Sequence, residues 1–258
     1  MITIASWNVN SIRARLPLLL EWLKEKSPDI VLLQETKIPD DQFPREEIED
    51  LHYNIAFSGQ KSYNGVAILS KSPIEDITRG IPEFGDEQAR YLEGVTRGLR
   101  VASIYVPNGM EVGSEKYAYK LTFLQHLYEH TRRLLTYDEA LVLGGDFNIA
   151  PTDEDVHNPQ EWHERLLCST PERAAFRALT GLGLTDALRA LYPKETDLYT
   201  WWDYRARGWS ANQGLRIDHF LLSPQAADRL QKGEVDKAMR GLPKASDHAP
   251  VLCSLTSE

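Results

Sequence analysis

The chain has 258 residues, 42% of them hydrophobic, and a formal net charge of −9. A chain with this apolar share can bury a core without disulfide bonds. The two cysteines, Cys168 and Cys253, have the spacing of neither a disulfide framework nor a metal site. The N-terminal MITIASWNV lacks a signal-peptide pattern, and no apolar run approaches the roughly 18 residues of a membrane helix. We therefore expect one cytoplasmic domain over residues 1–258, with no membrane contact.

Strand patterns begin at the N-terminus and recur along the chain. Short apolar or alternating runs predict strands over 2–9, 29–34, 53–58, 65–70, 99–106, 140–144, 217–222 and 251–255. Helical periodicity predicts helices over 13–26, 116–135, 171–179 and 224–231, with Ser169 or Thr170 and Ser223 as N-caps. Several strands follow one another through tight connections, which a purely parallel sheet does not allow. The pattern therefore predicts an α/β domain of mixed sheets packed face to face, with helices outside.

Polar residues stand at the edges of several predicted strands. Asn8 ends the first strand, where its amide can coordinate a cation, bond an acidic neighbour or simply form a turn. Glu35 closes an apolar strand, and carboxylates at such positions are usually paired or metal-bound. Because Mg²⁺ takes oxygen ligands and keeps several waters, one or two carboxylates suffice to bind it. A solvated glutamate on the loop is the alternative.

The segment LGGDFNIAP places two polar groups after an apolar strand. Asp146 and Asn148 alternate about Phe147, so in extended geometry both point to one side. A carboxylate that orients water and an amide that donates to an oxyanion need this common direction. The glycine pair is interpreted as letting the backbone approach a ligand. An Asx turn after the strand is the alternative.

The segments GLRIDHFLLS and SDHAPV supply an acid and an imidazole. Asp218 is interpreted as the partner of His248, fixing its tautomer and raising its pKa. An ion pair between Asp218 and Arg216 is the competing interpretation. His219 lies on the opposite face of a regular strand, so we expect a structural role for it.

Aromatic and basic residues accompany these segments. Tyr105 ends a strand, where a phenol can donate to a phosphate, although a half-buried tyrosine without a role fits equally. The segment YTWWDYRARGW suits stacking on unpaired bases, with a packed hairpin as the alternative. Basic residues that fall near the polar segments would contact phosphates and form a locally basic face: Arg13, Arg15, Lys116, Lys120, Arg205, Arg207 and Arg216.

Seven segments occur in an order that resembles one family: WNVN, LLQETK, NGVAIL, IYVPNG, GGDFNIAP, GLRIDHFLLS and SDHAPV. They resemble the exonuclease III-type DNA repair nucleases of the endonuclease/exonuclease/phosphatase superfamily, most closely the bacterial branch. The resemblance runs from the first strand to the last and is less specific over 152–188. It implies a DNase I-like four-layer α/β sandwich, in which two mixed β-sheets pack face to face, helices lie outside and the site is at one rim.

The resemblance also implies an activity and its residues. It implies a hydrolase dependent on Mg²⁺ or Mn²⁺ that acts on damaged or nicked double-stranded DNA in base excision repair, cleaving 5′ to abasic sites, removing 3′ nucleotides and 3′ blocking groups, or both. The implied metal ligands are Glu35, Asn8, Asp247, Asp146 and Asn148. Asp146 would also position or deprotonate the attacking water. Asn148 and Tyr105 would contact the scissile phosphate, while His248, oriented by Asp218, stabilises the developing charge. The expected DNA contacts are Asn10, Arg13, Asn64, Lys116, Trp201, Arg205, Arg207, Asn212, Leu215 and Arg216.

Two departures and two alternatives accompany this interpretation. Some family members carry an aromatic residue at the place of Leu215, which leaves the lesion preference open. The lack of a eukaryotic-type N-terminal extension favours a bacterial enzyme, expected to be monomeric. One alternative is a superfamily phosphoesterase acting on RNA, an inositol phosphate or a phospholipid head group. The other is a non-catalytic binding module.

Overall fold

The computed structural model describes residues 1–205 and 207–257, so that Ala206, within the aromatic and basic segment, and Glu258 lie outside the described residues. The strands are β1 Ile2–Asn8, β2 Ile30–Gln34, β3 Asn54–Ser58, β4 Val66–Ser70, β5 Glu75–Arg79, β6 Tyr91–Thr96, β7 Leu99–Tyr105, β8 Leu141–Asp146, β9 Thr185–Asp186, β10 Trp201–Trp202, β11 Gly214–Leu215, β12 Asp218–Leu222, β13 Leu230–Val235 and β14 Val251–Leu255. The helices are α1 Ile12–Lys26, α2 Arg45–Glu49, α3 Glu115–Leu134, α4 Pro159–Trp162, α5 Thr170–Gly181, α6 Ala187–Leu191, α7 Pro224–Ala227 and α8 Lys237–Arg240, with 3₁₀ turns at Asp40–Gln42, Leu135–Tyr137 and Asp153–Asp155.

The strands form two six-stranded sheets, in the orders β13-β14-β1-β2-β4-β3 and β5-β6-β7-β8-β12-β9, and a small β10-β11 ribbon. Each large sheet is mixed, because β1 runs parallel to β2 and β7 runs parallel to β8, while the strand pairs beside them are antiparallel. The predicted mixed-sheet α/β fold is confirmed.

Three apolar clusters separate four layers. Ile4, Leu32 and Phe220 belong to the buried cluster between the sheets. Trp22 of α1 packs with the outer face of the first sheet, and Phe123 of α3 packs with the outer face of the second. Fully burying one such aliphatic or aromatic side chain contributes about 1.5–3 kcal/mol, so these clusters dominate the stabilisation of the layers.

One rim of the sandwich collects the strand ends that carry polar residues. The strands β1, β2, β7 and β8 all end at this rim, with Asn8 level with Gln34 and Tyr105 level with Asp146. The strand β12 begins there, because Asp218 lies opposite Asp146 in the antiparallel pairing. Parallel pairing in both sheets therefore brings sequence-distant polar groups to one edge.

Several predicted elements are wrong in extent or were missed. The predicted helix over 224–231 ends at Ala227, and its last residues belong to β13, which pairs at the sheet edge with β14. Ser223 does not cap this helix with its side chain; its hydroxyl accepts the backbone N–H of Leu141 at 2.9 Å. Ser169 does cap α5, in a capping box with Glu172. Among the described residues, no helix has the length and apolarity needed to cross a lipid bilayer.

Candidate active site

Asn8 joins the two carboxylates at the centre of the rim. Its side-chain amide donates to Glu35 Oε1 at 2.8 Å and to Asp146 Oδ2 at 2.9 Å. Its own oxygen accepts the backbone N–H of Asn10 at 3.0 Å. The amide nitrogen, not the oxygen, therefore faces the carboxylates. In this orientation Asn8 holds the two acids together, and its role as a metal ligand stays a prediction.

His248 lies between two buried acids. Its Nδ1 is 2.8 Å from Asp218 Oδ2, and its Nε2 is 3.6 Å from Asp146 Oδ2. Burial disfavours the imidazolium, but the charges of Asp218 and Asp146 outweigh this effect and raise the pKa of His248. Burial raises the pKa of Asp146, against the opposing charge of His248. The predicted contact between Asp218 and His248 is present, while Arg216 pairs elsewhere.

The donor set at the rim suits a hard divalent cation. Ligand atoms of Glu35, Asp146 and His248 all lie within 4.8 Å of one another. Two carboxylates held by one amide form an oxygen-rich site of the kind that such a cation prefers. Lys37 was missed by the sequence analysis; its Nζ lies 2.8 Å from Glu35 Oε2 and partly offsets that charge.

Asp247 stands outside this cluster of three. Its oxygens accept from Asn10 Nδ2 and from Trp201 Nε1, each at 3.0 Å. Burial alone would raise the pKa of Asp247, but the charge of His248 and these two hydrogen bonds lower it instead. Its carboxylate is thus ionised and accepts from two donors, and its role as a metal ligand stays a prediction.

The Asp146–Asn148 segment forms an Asx turn as well as part of the site. The backbone N–H of Asn148 donates to Asp146 Oδ1 at 2.9 Å, and Asn148 has a φ of 50°. The Asn148 amide donates to the Val106 carbonyl at 2.9 Å and accepts from Asn108 at 3.3 Å. These bonds tie its side chain to the neighbouring loops, and its role as a metal ligand stays a prediction.

Gly144 and Gly145 are needed for close packing within the protein. This corrects the interpretation that they let the backbone approach a ligand. A Cβ on Gly144 would lie 2.6 Å from Leu32 and from Phe220, at the interface of the sheets. A Cβ on Gly145 would lie 1.9 Å from the carbonyl oxygen of Ile104. Glycine is therefore required because protein atoms, not a ligand, occupy the space that side chains would need.

A fully buried ion pair fixes the loops around Asn148. Lys120 contacts Glu172, and both side chains are 0% exposed. Lys120 Nζ also donates to the Asn148 carbonyl at 2.6 Å and to the Asn108 carbonyl at 3.1 Å. Glu172 accepts the backbone N–H of Leu167 at 3.0 Å. The expectation that Lys120 contacts phosphate is wrong, because it is an internal anchor.

Two other predicted DNA contacts are also buried. Arg216 is 1% exposed, and its guanidinium bonds Asp155 at 2.7 Å and Asp186 at 2.8 Å. Leu215 is 0% exposed within an apolar cluster. Neither side chain reaches the surface, so both predictions are wrong. His219 is buried and bonds the Ile149 carbonyl at 2.8 Å, in agreement with its predicted structural role.

A cavity of about 300 Å³ opens beside the cluster. Its polar lining residues are Glu35, Tyr105, Asn108, Asp146, Asn148, Asp247 and His248, and its apolar or aromatic ones are Trp162, Leu166, Leu167, Trp201 and Ile217. The sequence analysis missed Trp162 and Leu166, which stand outside its motifs. Asn108 was missed as well, but the sequence could have identified it, because it belongs to the segment IYVPNG.

A groove of about 510 Å³ continues from Glu35, Tyr105 and Asn108. Its other lining residues are Lys37, Gln60, Tyr63, Asn64, Gln88, Arg90, Pro107, Gly109, Met110, Lys116 and Tyr119. Asn64 and Lys116, both predicted to contact DNA, lie here. The missed residue Arg90 packs over the Tyr105 ring at 4.7 Å from its centroid.

The remaining predicted DNA contacts lie outside this cavity and groove. Asn10 bonds Asp247, and Arg13 is exposed and bonds Gln42 at 2.9 Å. Arg205 and Arg207 are exposed beyond β10. Asn212 is exposed, and its oxygen accepts from Trp202 Nε1 at 3.1 Å.

Comparison with known proteins gives consistent matches along the chain. The model of the Endonuclease/Exonuclease/phosphatase family matches residues 5–248. Exodeoxyribonuclease III of Haemophilus influenzae is 37% identical, over 95% of this chain and 97% of that protein. A solved 3′ phosphatase from Neisseria, bound to a product DNA hairpin, is 42% identical with a TM-score of 0.97, covering 99% of this chain and 100% of the other. A solved AP endonuclease from Archaeoglobus fulgidus is 36% identical with a TM-score of 0.95, covering 99% of each chain.

Proposed function

The chain belongs to the endonuclease/exonuclease/phosphatase family, and on that premise we propose that it is a divalent-metal-dependent phosphodiester hydrolase of DNA repair. Its substrate is damaged or nicked double-stranded DNA, cut 5′ to abasic sites, trimmed at 3′ nucleotides or blocking groups, or both. The observation that carries the proposal is the cavity beside His248, which is lined by acids and by apolar side chains. The names of the relatives, a 3′ phosphatase and an AP endonuclease among them, support the same class of substrate.

Glu35 and Asp146 would hold the cation, Mg²⁺ or Mn²⁺. When bound, it supplies positive charge beside the scissile phosphate. Asn8 keeps the two carboxylates at a fixed separation, since one amide group donates to both. Asp146 is also the group that orients the attacking water, and the burial that raises its pKa brings it nearer the range of a general base.

His248 and Tyr105 would meet the phosphate oxygens. The acids beside His248 favour its protonated form, which stabilises negative charge as it develops. Burial and the carboxylates of Glu35 and Asp146 raise the pKa of Tyr105 well above its ordinary value. The phenol therefore keeps its proton and donates it in a hydrogen bond. Asn148 lines the same cavity and would contact the phosphate beside it.

The apolar side chains that line the cavity would receive the sugar of an unpaired or abasic nucleotide. Extruding a nucleotide without its base costs less than extruding a stacked pair, which favours damaged sites. Lys116 lines the adjoining groove, Arg205 and Arg207 are exposed beyond β10, and all three would contact phosphates without reading sequence. We propose that the chain acts as a monomeric single domain in the cytoplasm, because one chain supplies every group named and both of its cysteines are buried as free thiols.

A substrate panel tests this function. Purified protein is given an abasic duplex, a duplex with a recessed 3′ end, a duplex with a 3′-phosphate, a single-stranded RNA and a phosphoinositide, each with Mg²⁺ or with EDTA. We expect processing of the DNA duplexes with Mg²⁺ alone and its loss in Glu35→Gln, which keeps the side-chain shape. Hydrolysis of only the RNA or the phosphoinositide, or DNA binding without cleavage, contradicts the proposal.

A further inference from the structure

Thr200 is a buried hydroxyl that contacts the acid of the Asp218–His248 pair. Its side chain accepts the backbone N–H groups of Ile217 and Asp218, each at 3.1 Å. It donates to Asp218 Oδ2 at 2.6 Å. A hydroxyl has one proton and two lone pairs, and the two backbone donors occupy both lone pairs. Its proton is therefore committed to the Asp218 carboxylate.

The same carboxylate oxygen receives His248. Asp218 Oδ2 lies 2.8 Å from His248 Nδ1 and 2.6 Å from Thr200 Oγ1. The two donors approach one oxygen from different directions and fix the rotation of the carboxylate. Hydrogen bonds to a carboxylate are stronger than neutral ones, so this orientation is well defined.

The backbone of Thr200 reaches the other half of the pair. Its carbonyl accepts the N–H of Ala249 at 2.8 Å, directly after His248. Trp201, the next residue, forms an isolated β-bridge with His248. Asp218 begins β12 in one large sheet, whereas His248 precedes β14 in the other. A segment that contacts both therefore sets the spacing between groups carried by different sheets.

We propose that Thr200 is a positioning residue for His248, acting through Asp218 and through the backbone at Ala249. This inference rests on the proposed phosphodiesterase function. Thr200 does not touch the substrate; it holds the carboxylate at the rotation that receives His248 Nδ1 and so directs Nε2 toward Asp146. A buried threonine needed only for folding would contribute to stability without affecting turnover.

Three variants separate these two roles. Thr200→Val removes the hydroxyl with little change in shape, and Thr200→Ser restores it. Thr96→Val is the matched control, because Thr96 of β6 is also buried and its hydroxyl forms a hydrogen bond of 2.7 Å with the hydroxyl of Ser70. Each variant is measured for kcat and KM on an abasic duplex with Mg²⁺, and for its melting temperature. Losing a hydrogen-bonded partner that orients a metal-ligating side chain typically lowers activity about 10- to 100-fold, and we expect the same range for a partner that orients His248.

We expect Thr200→Val to lower kcat about 10- to 100-fold with KM nearly unchanged. The kcat of Thr200→Ser should stay within about threefold of the wild type, and Thr96→Val should keep full kcat. The His248 Nδ1–H proton resonance should shift in Thr200→Val and stay in place in Thr96→Val. If Thr200→Val does not fold, Thr200→Cys, a weaker donor, takes its place and should fall between serine and valine. A wild-type kcat with an unmoved resonance in a folded valine or cysteine variant overturns the inference. Absence of cleavage by the wild type would instead refute the proposed function.

Discussion

Asp218 lies directly opposite Asp146 in the pairing of β12 with β8, and His248 is held between their carboxylates. The acid on one side orients the imidazole through Nδ1, and the acid on the other side faces Nε2. Two acids on neighbouring strands thus give one histidine a fixed direction. The predictions below follow from this relationship and from the loops that support it.

Replacing His248 with alanine should lower kcat on an abasic duplex by about 10²- to 10⁴-fold, the range for losing one proton-transfer or charge-stabilising group. Asp218→Asn should act in the same direction, because it removes the charge that favours the imidazolium. Steady-state kinetics with Mg²⁺ measure both. A near-normal kcat for the alanine variant means that His248 has been misassigned.

Replacing Asn8 with alanine should weaken binding of the divalent cation by about 10- to 100-fold, the usual effect of losing a group that orients metal ligands. The two carboxylates lose their shared donor and repel each other. Calorimetric titration of Mn²⁺ into the DNA-free protein measures this change in affinity without any assay of turnover. Asn54→Ala, on the opposite part of the first sheet, is the control and should bind Mn²⁺ as the wild type does.

Replacing Lys120 with methionine should lower the free energy of unfolding by about 3–5 kcal/mol, because it leaves Glu172 buried without its counter-charge. The double variant Lys120→Met with Glu172→Leu should recover only the part of this loss that comes from the unpaired charge, because Glu172 also accepts the backbone N–H groups of Leu167 and Ser169. Urea denaturation followed by fluorescence gives the values. Equal stability of the single variant and the wild type would show that Lys120 is not an internal anchor.

Stability should fall in mild acid because of His219. Burial and then the neighbouring Arg216 lower the pKa of His219 from 6.5 to about 4, so the folded protein holds the ring neutral. As the pH falls, His219 takes up a proton in the unfolded chain before it does so in the folded protein. The stabilisation that the neutral ring gives the folded protein is therefore complete above pH 6.5 and is lost as the pH falls toward 4. The loss amounts to about 3 kcal/mol. Urea midpoints from pH 7 to pH 4 should drop less steeply in His219→Gln than in the wild type, and equal slopes would contradict this assignment.

Replacing Arg205 with alanine should weaken binding to duplexes of every sequence and reduce the slope of log K against log salt by about 1. The reason is the loss of one exposed phosphate contact. Arg132→Ala, on α3 in an exposed ion pair with Glu129, serves as the matched control. Fluorescence anisotropy at several salt concentrations measures both slopes, and an unchanged slope for Arg205→Ala would remove it from the DNA contacts.

Most central strands and the long helices were predictable from the sequence, but the buried interior strand β6 was missed. The strand β2 is an apolar run ended by Gln34, and α3 repeats its apolar face over many turns, so local pattern and burial agree. The missed strand β5 lies at a sheet edge and is mostly exposed, and β13 also lies at an edge. Such strands need no apolar alternation, so their sequences resemble loops or short helices.

The polar segments were predictable, but the environment of individual charges was not. Lys120 and Arg216 look like surface cations in a string of letters. Their partners Glu172, Asp155 and Asp186 are distant in sequence, and only the folded chain brings them together. The direction of an amide such as Asn8 is equally invisible, because it depends on which neighbours it meets.

Single-turnover cleavage of an abasic duplex by Asp146→Asn, beside the wild type and with Mg²⁺ or EDTA, tests the central claim most directly. We predict metal-dependent incision by the wild type, and binding of the same duplex by the variant with cleavage at least about 10²-fold slower. Cleavage by the variant at the wild-type rate, or cleavage by the wild type that persists in EDTA, would contradict the assignment of Glu35, Asp146 and His248 as the centre of the reaction.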